Sequence, residues 1–116
     1  MTAYAKTKEI EDKKTKFGVT ALVGLVWIDN FGSDNELESV FYGWKTTDNS
    51  TVSNRELRIL IDDANKDGII YPRSNDFTHF SYYRKGYRFS ASTTADVTDD
   101  RNKGSITVTA KTTLWN

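Results

Sequence analysis

The stretch that decides the fold is YRFSASTTADVT (residues 87–98), in which apolar and polar side chains alternate one by one. The same alternation returns in SITVTAKTTLW (residues 105–115), after a turn-forming segment at 99–104. Because side chains point to opposite sides of a strand, this period predicts two strands that each bury one side. We therefore predict a β-hairpin, 87–98 with 105–115, as the longest element of the fold. Its buried residues should be Ile106, Val108, Ala110 and Leu114, and its exposed residues Thr107, Thr109 and Lys111.

Two further strands precede this hairpin. Residues 17–28 are rich in Val and Leu on both alternating sides, which predicts a central strand that is covered on both faces. Residues 39–46 alternate again and favour antiparallel pairing with that strand. Residues 77–83 should extend the first arm of the hairpin, with Gly86 at a bulge.

A helix is predicted between these two pairs of strands. Ser53 or Asn54 is a suitable N-cap, and apolar residues follow at helical spacing up to Ala64. The polar residues 1–16 predict an N-terminal arm or a short helix. The expected fold class is therefore α+β, with an antiparallel sheet of about four strands and a single domain over residues 17–116.

Composition excludes several classes of function. The 116 residues suffice for one core, and the sixteen basic and sixteen acidic residues cancel, so net charge predicts no nucleic-acid or membrane partner. There is no cysteine to form disulfides or thiolate metal sites. Neither a signal peptide nor a membrane-spanning segment is indicated, which favours a cytoplasmic or virion-associated protein.

Enzymatic chemistry has little support in the sequence. His79 is the only histidine, so a Ser-His-Asp unit would need this residue to find both partners across the fold. No nucleophile elbow and no glycine-rich phosphate loop is present. We therefore predict a protein that is not an enzyme.

The segment DANKDGII (residues 63–70) places side-chain oxygens at alternating positions, followed by a glycine and an aliphatic residue. This pattern resembles the first two-thirds of the calcium-binding loop of the EF-hand family, and with the entering helix the resemblance covers about twenty residues. It implies calcium ligands at Asp63, Asn65 and Asp67 and at the carbonyl of Ile69.

The remainder of that loop departs from the family. Ser74 stands at the twelfth position, where the family has a bidentate Glu, and Pro72 prevents an exiting helix. The resemblance thus implies weak, millimolar-class calcium binding. A helix that simply ends at Gly68 is the alternative, and it explains the glycine without a metal.

Aromatic and basic residues interleave in YYRKGYRF (residues 82–89). Aromatic side chains on a sheet can stack on bases while arginines contact phosphates, which is how many sheets bind single strands. The predicted nucleic-acid site consists of Tyr82, Tyr83, Arg84, Lys85, Tyr87 and Arg88. The alternative explanation of the same pattern is a strand whose basic side chains are solvated.

The favoured function is a non-enzymatic protein–protein interaction or structural assembly module. Fifteen aromatics (six Phe, six Tyr and three Trp) suit surface contacts. Residues 29–67 carry a net charge of −5 and residues 71–90 one of +3, which would permit head-to-tail self-association. Small size and the absence of motifs suggest an accessory or virion protein of a virus or mobile element. Single-stranded nucleic-acid binding and calcium binding are the alternatives.

Overall fold

Two antiparallel sheets form the whole of the described structure. The computed structural model describes residues 6–31, 34–62 and 68–112, and this part of the chain contains strands and turns but no helix. Its strands are β1 (Lys6–Lys16), β2 (Val19–Asp29), β3 (Asn35–Thr46), β4 (Thr51–Ile61), β5 (Gly68–Ile70), β6 (Thr78–Gly86), β7 (Phe89–Thr98) and β8 (Lys103–Lys111). Sheet A has the order β1-β2-β3-β6 and sheet B the order β5-β4-β7-β8.

The two sheets pack face to face as a sandwich around one core. β1 lies against β8, and β2 lies against β7 and β8. The core is built from the alternating inward residues of both sheets, among them Val23 and Leu25 of β2, Leu57 of β4, Phe89 of β7 and Val108 of β8, all almost fully buried. Because each strand contributes only every second residue to this core, its other residues form two separate outer faces.

The predicted α+β class is wrong, because the expected central helix is strand β4. Leu57 and Ile59 face the core, and they alternate with Arg58, as in a strand. A bulge between Ser53 and Glu56, where Asn54 has a φ of 51°, changes the side on which the following residues lie. Beyond the bulge, the apolar Leu60 lies on the outer side next to the inward Ile61, and together with Leu57 these residues have a spacing that imitates a helix.

The predicted N-terminal arm or helix is also wrong for its described part. Residues 6–16 form β1, which pairs with β2 along its whole length. Ile10 is the single large apolar residue of β1, and it lies opposite Leu25 and packs against the core. The other residues of β1 are polar, and most are exposed on both sides of the strand because β1 lies at the edge of sheet A. Pairing, and not hydrophobic alternation, therefore makes this segment a strand.

The C-terminal hairpin is present as β7 and β8, with the predicted sides. Ile106, Val108 and Ala110 are buried, whereas Thr107 and Thr109 are exposed, and Leu114 lies outside the described residues. Its two strands have 10 and 9 residues and are not the longest elements, since β3 has 12. Residues 77–83 do not extend its first arm: β6 belongs to the other sheet and pairs with β3. We expected about four strands, whereas the described part of the chain contains eight.

Candidate functional site

The outer face of sheet A carries large apolar side chains on an interior strand. Val19, Ala21, Val23, Leu25 and Trp27 of β2 fill the core, so the residues between them point outward. Those outward residues include Leu22, Val26 and Ile28, which are half-buried among their neighbours. The sequence predicted a strand covered on both faces, but the described residues place no further element over this side. We call the outward Leu22, Val26, Ile28, Phe41, Phe77 and Tyr83, with Gly24 and Gly43, the apolar face.

Phe41 lies flat at the middle of the apolar face because Gly24 leaves room for its ring. Gly24 is opposite Phe41 in the register of β2 and β3, and a Cβ at Gly24 would lie 2.0 Å from Phe41 Cζ. The ring is consequently only 6% exposed although it points away from the core. It contacts Phe77 at a centroid distance of 6.0 Å and His79 edge-on at 5.5 Å. Gly24 thus lets an aromatic side chain be ordered on the outside of a sheet.

A groove of about 420 Å³ opens beside Phe77, where Gly43 stands between Leu22 and Phe77. Gly43 is opposite Leu22, and a Cβ at Gly43 would approach Phe77 Cα to 3.0 Å. The backbone N–H of Trp44 donates a hydrogen bond of 3.0 Å to the backbone carbonyl of Asn75, which holds the segment before β6 against β3. The charged residues that line this groove are Glu11, Lys13, Lys45 and Asp76.

A second, smaller depression of about 270 Å³ lies at the other end of the apolar face. It forms where β3 bulges: Ser39 pairs with Val26 and Leu37 with Trp27, which leaves Glu38 as an extra residue. Its lining includes Ile28, the exposed ring of Tyr83, and the charged Glu36, Glu38 and Lys85. The apolar face therefore has an ordered aromatic centre, a depression on either side and a charged rim.

The outer face of sheet B differs between its strands: on β4 and β5 it includes Leu60 and Ile69, whereas on β7 and β8 its chemistry is opposite to that of the apolar face. Its residues on β7 and β8 are almost all hydroxyl-bearing or charged, and we call the set Ser90, Ser92, Thr94, Thr98, Ser105, Thr107 and Thr109 the hydroxyl face. Facing hydroxyls bond to each other, with Ser92 Oγ 2.8 Å from Thr109 Oγ1 and Thr94 Oγ1 3.3 Å from Thr107 Oγ1. Such a surface is compatible with water and needs no partner to cover it.

The six residues of the predicted nucleic-acid site do not all lie on one side of sheet A. Tyr82 packs against the core near Gly68, and the Arg84 guanidinium stacks on its ring at 4.1 Å. Tyr83 and Lys85 line the depression on the apolar face. Exposed side chains of Tyr87 and Arg88 follow β6, where both backbone N–H groups donate to Asp62 Oδ1. Arg84 also lines the depression of Tyr83 and Lys85, and Lys85 and Tyr87 share another one. Single-strand binding stays a prediction.

The predicted calcium loop is only partly described. Asp63, Asn65 and Asp67 lie outside the described residues, whereas Ile69 belongs to β5, opposite Arg58. The entering element is β4, a strand, and not the helix that the resemblance to the EF-hand family implies. Within residues 6–31, 34–62 and 68–112 no group of three or more histidine or acidic residues is arranged to hold a metal ion. Calcium binding at 63–70 stays a prediction.

His79 contacts a serine on the outer face of sheet A. Its Nε2 lies 2.8 Å from Ser39 Oγ on the neighbouring strand. In the described part of the chain no carboxylate hydrogen-bonds to the other ring nitrogen, so the pair lacks the group that orients the histidine in a Ser-His-Asp unit. The contact positions the imidazole edge-on to Phe41.

Two carboxyl groups at the ends of the sandwich have lowered pKa values. At Asp29 the hydrogen bond from Lys8, whose Nζ is 3.0 Å away, lowers the pKa, and the Phe31 N–H adds to the effect. At Asp99 the Arg101 N–H lowers the pKa, together with the Asn102 side chain. Both groups are engaged in their own turns or strand ends, which favours a structural role for each.

Leu22, Gly24, Phe41, Gly43 and Phe77 were not among the residues selected from the sequence. The available signal was the apolar character of both sides of residues 17–28, combined with two glycines in neighbouring strands. Comparison with protein-family models, with curated proteins and with solved structures found no match to this chain. Among the described residues no helix is long and apolar enough to cross a membrane.

Proposed function

We propose that this protein is a non-enzymatic interaction module that binds another protein surface through the apolar face. The observation that carries the proposal is the exposure of Phe77 and Tyr83, which are 61% and 69% exposed on the same side of sheet A as Leu22 and Phe41. Single exposed apolar residues are ordinary, whereas a contiguous apolar patch with a polar rim is typical of a contact surface.

The composition of the face supports the same proposal. Aromatic residues are enriched at the centres of protein interfaces, and charged residues are enriched at their rims. Phe41 supplies an ordered aromatic centre, while Glu11, Lys13 and Lys45 stand at the margin of the adjacent groove. Because Phe41 is already held over Gly24, little side-chain entropy is lost when a partner covers it.

Site-specific photo-crosslinking in the cells that naturally make the protein tests this proposal. A photoreactive phenylalanine analogue replaces Phe77 on the apolar face, and in a matched variant it replaces Thr107 on the hydroxyl face. We expect discrete protein adducts from position 77 and none from position 107. Equal labelling at both positions, or no protein adduct at position 77, would contradict the proposal.

A further inference from the structure

We propose that the partner of the apolar face is the same face of a second copy, so that the protein forms a symmetric dimer. This inference rests on the proposed function and adds the identity of the partner. The two-fold axis would lie within the interface and run along the seam between β2 and β3. Such an axis places β2 of one copy over β3 of the other, and β1 over β6, at the same level along the strands.

The register of sheet A determines which residues would meet. Leu22 and Gly43 are paired neighbours on β2 and β3, so the axis exchanges them between copies. Leu22 of each copy would then enter the groove that Gly43 of the other leaves open beside Phe77. The same contact between Leu22 and the groove at Gly43 thus occurs twice in the dimer, as the self-complementarity of a two-fold interface requires.

In the rows of Gly24 and Leu22 the rim is self-complementary under the same operation. Glu11 and His79 stand at opposite edges of one cross-strand row, since Glu11 pairs with Gly24, Gly24 with Phe41 and Phe41 with His79. The axis places Glu11 of one copy over His79 of the other, a carboxylate over an imidazole. In the next row it places Lys13 over the exposed ring of Phe77, where an ammonium group is favoured.

A two-fold axis across the strands gives a poorer fit. It would place each strand over itself, and when it passes through the central row it stacks Glu11 on Glu11 and His79 on His79. Like charges at such positions oppose association. Twisted sheets also pack with their strands about 30° apart, which an axis inclined by about 15° to the strands produces.

The size of the face predicts a weak dimer. Four strands about 4.8 Å apart and about 27 Å of strand length cover about 500 Å² per copy. Both copies together would bury about 1,000 Å², which is the lower limit for a specific interface. We therefore expect a dissociation constant in the micromolar range, on the order of 10 µM.

Cysteine cross-linking tests the geometry, and the absence of native cysteine gives a clean background. Within one chain the two positions of Glu11→Cys and His79→Cys are three strand spacings apart, about 14 Å, which is too far for a disulfide. On mild oxidation, an equimolar mixture of the two single variants should give a disulfide-linked dimer, and neither variant alone should do so. Mixing Glu11→Cys with Thr107→Cys is the control and should give none.

Sedimentation velocity of the unmodified protein from about 1 to 500 µM tests the association itself. We expect a concentration-dependent dimer that Leu22→Glu weakens at least tenfold, while Thr107→Glu leaves it unchanged. Circular dichroism checks that both variants fold, and Phe77→Ser replaces Leu22→Glu if that variant does not. A protein that is monomeric over this range, or a dimer that persists in the folded variant, overturns the inference.

These outcomes are separable from those of the proposed function. If position 77 cross-links in cells to a different protein and the purified chain stays monomeric, the apolar face is an interaction surface but the second copy is not its partner. If position 77 yields no adduct, both proposals fail. An adduct of two copies of this chain supports both.

Discussion

β2 and β7 are interior strands of their own sheets, and each buries alternate residues in the same core. Their outward residues differ completely. β2 presents Thr20, Leu22, Gly24, Val26 and Ile28, whereas β7 presents Ser90, Ser92, Thr94, Asp96 and Thr98. The inward residues of both strands fill one core and are apolar except for Thr93 of β7. The outward halves are free of that requirement, so their difference carries information about what each surface contacts.

The hydroxyl face is what a sheet presents when only water lies beyond it. Its side chains bond to each other or to solvent, and their removal exposes nothing. The apolar face instead keeps Phe41 ordered over Gly24 and leaves Phe77 in water. A face that costs solubility is retained most readily when something covers it. Three experiments test whether the two faces differ in this way.

Gly24→Ala should have the largest effect, on the stability of the fold. A glycine-to-alanine change in an extended strand ordinarily stabilises a protein, because it restricts the unfolded chain. Here the added Cβ would lie 2.0 Å from Phe41 Cζ and would push the ring off the sheet. We expect the free energy of unfolding to fall by about 2 kcal/mol.

Urea unfolding, followed by tryptophan fluorescence, measures this loss. Ser90→Ala, on the outward side of β7, is the matched control and should change the free energy of unfolding by less than about 0.5 kcal/mol. Similar values for the two variants would show that Phe41 is not held by Gly24, and the two faces would then be equivalent in stability.

Phe77→Ser should have an intermediate effect, and mainly on surface chemistry. Since the ring is 61% exposed and packs against the ring of Phe41, its loss should cost about 1 kcal/mol of stability. Retention on a phenyl column should fall clearly, because an exposed phenyl ring of the apolar face is gone. Thr107→Ser, on the hydroxyl face, should elute with the unmodified protein, and a Phe77→Ser variant that does the same would refute the contrast.

Alternation predicted the C-terminal hairpin well, even where a residue is polar. Thr93 lies on the predicted inward side of β7 and is fully buried, although its hydroxyl has no hydrogen-bond partner among the described residues. The neighbouring Thr94 is exposed. The position in the alternation, and not the residue type, therefore decided burial, because successive side chains of a strand point to opposite sides of the sheet.

Alternation failed where pairing or a bulge decides the structure. β1 is a strand because β2 supplies a complete ladder of partners, which no pattern within residues 6–16 reveals. In β4 the bulge around Asn54 shifted the period, and the outward apolar Leu60 next to the inward Ile61 produced a false helical spacing. The change of sheet between β6 and β7 is likewise a matter of topology, which a local pattern does not contain.

The candidate site was half visible in the sequence. Apolar residues on both sides of residues 17–28 correctly indicated an interior strand with two apolar faces. The sequence could not show that no element of the described fold lies over the second face. That property depends on where every other strand is placed, and it turns a predicted buried surface into a proposed interface.

Removing hydroxyls from the hydroxyl face should have the smallest effect. Ser92→Ala, Thr109→Val and the double variant form a cycle around the 2.8 Å contact between Ser92 Oγ and Thr109 Oγ1. Because both hydroxyls also have access to water, breaking their bond exchanges one partner for another, and the coupling in the free energy of unfolding should be about 0.5 kcal/mol. Urea unfolding of the four proteins measures it. A coupling above about 1.5 kcal/mol would mean that the hydroxyls form a rigid network with poor access to water. The hydroxyl face would then be as specifically organised as the apolar face, and the difference between them would not indicate an interface.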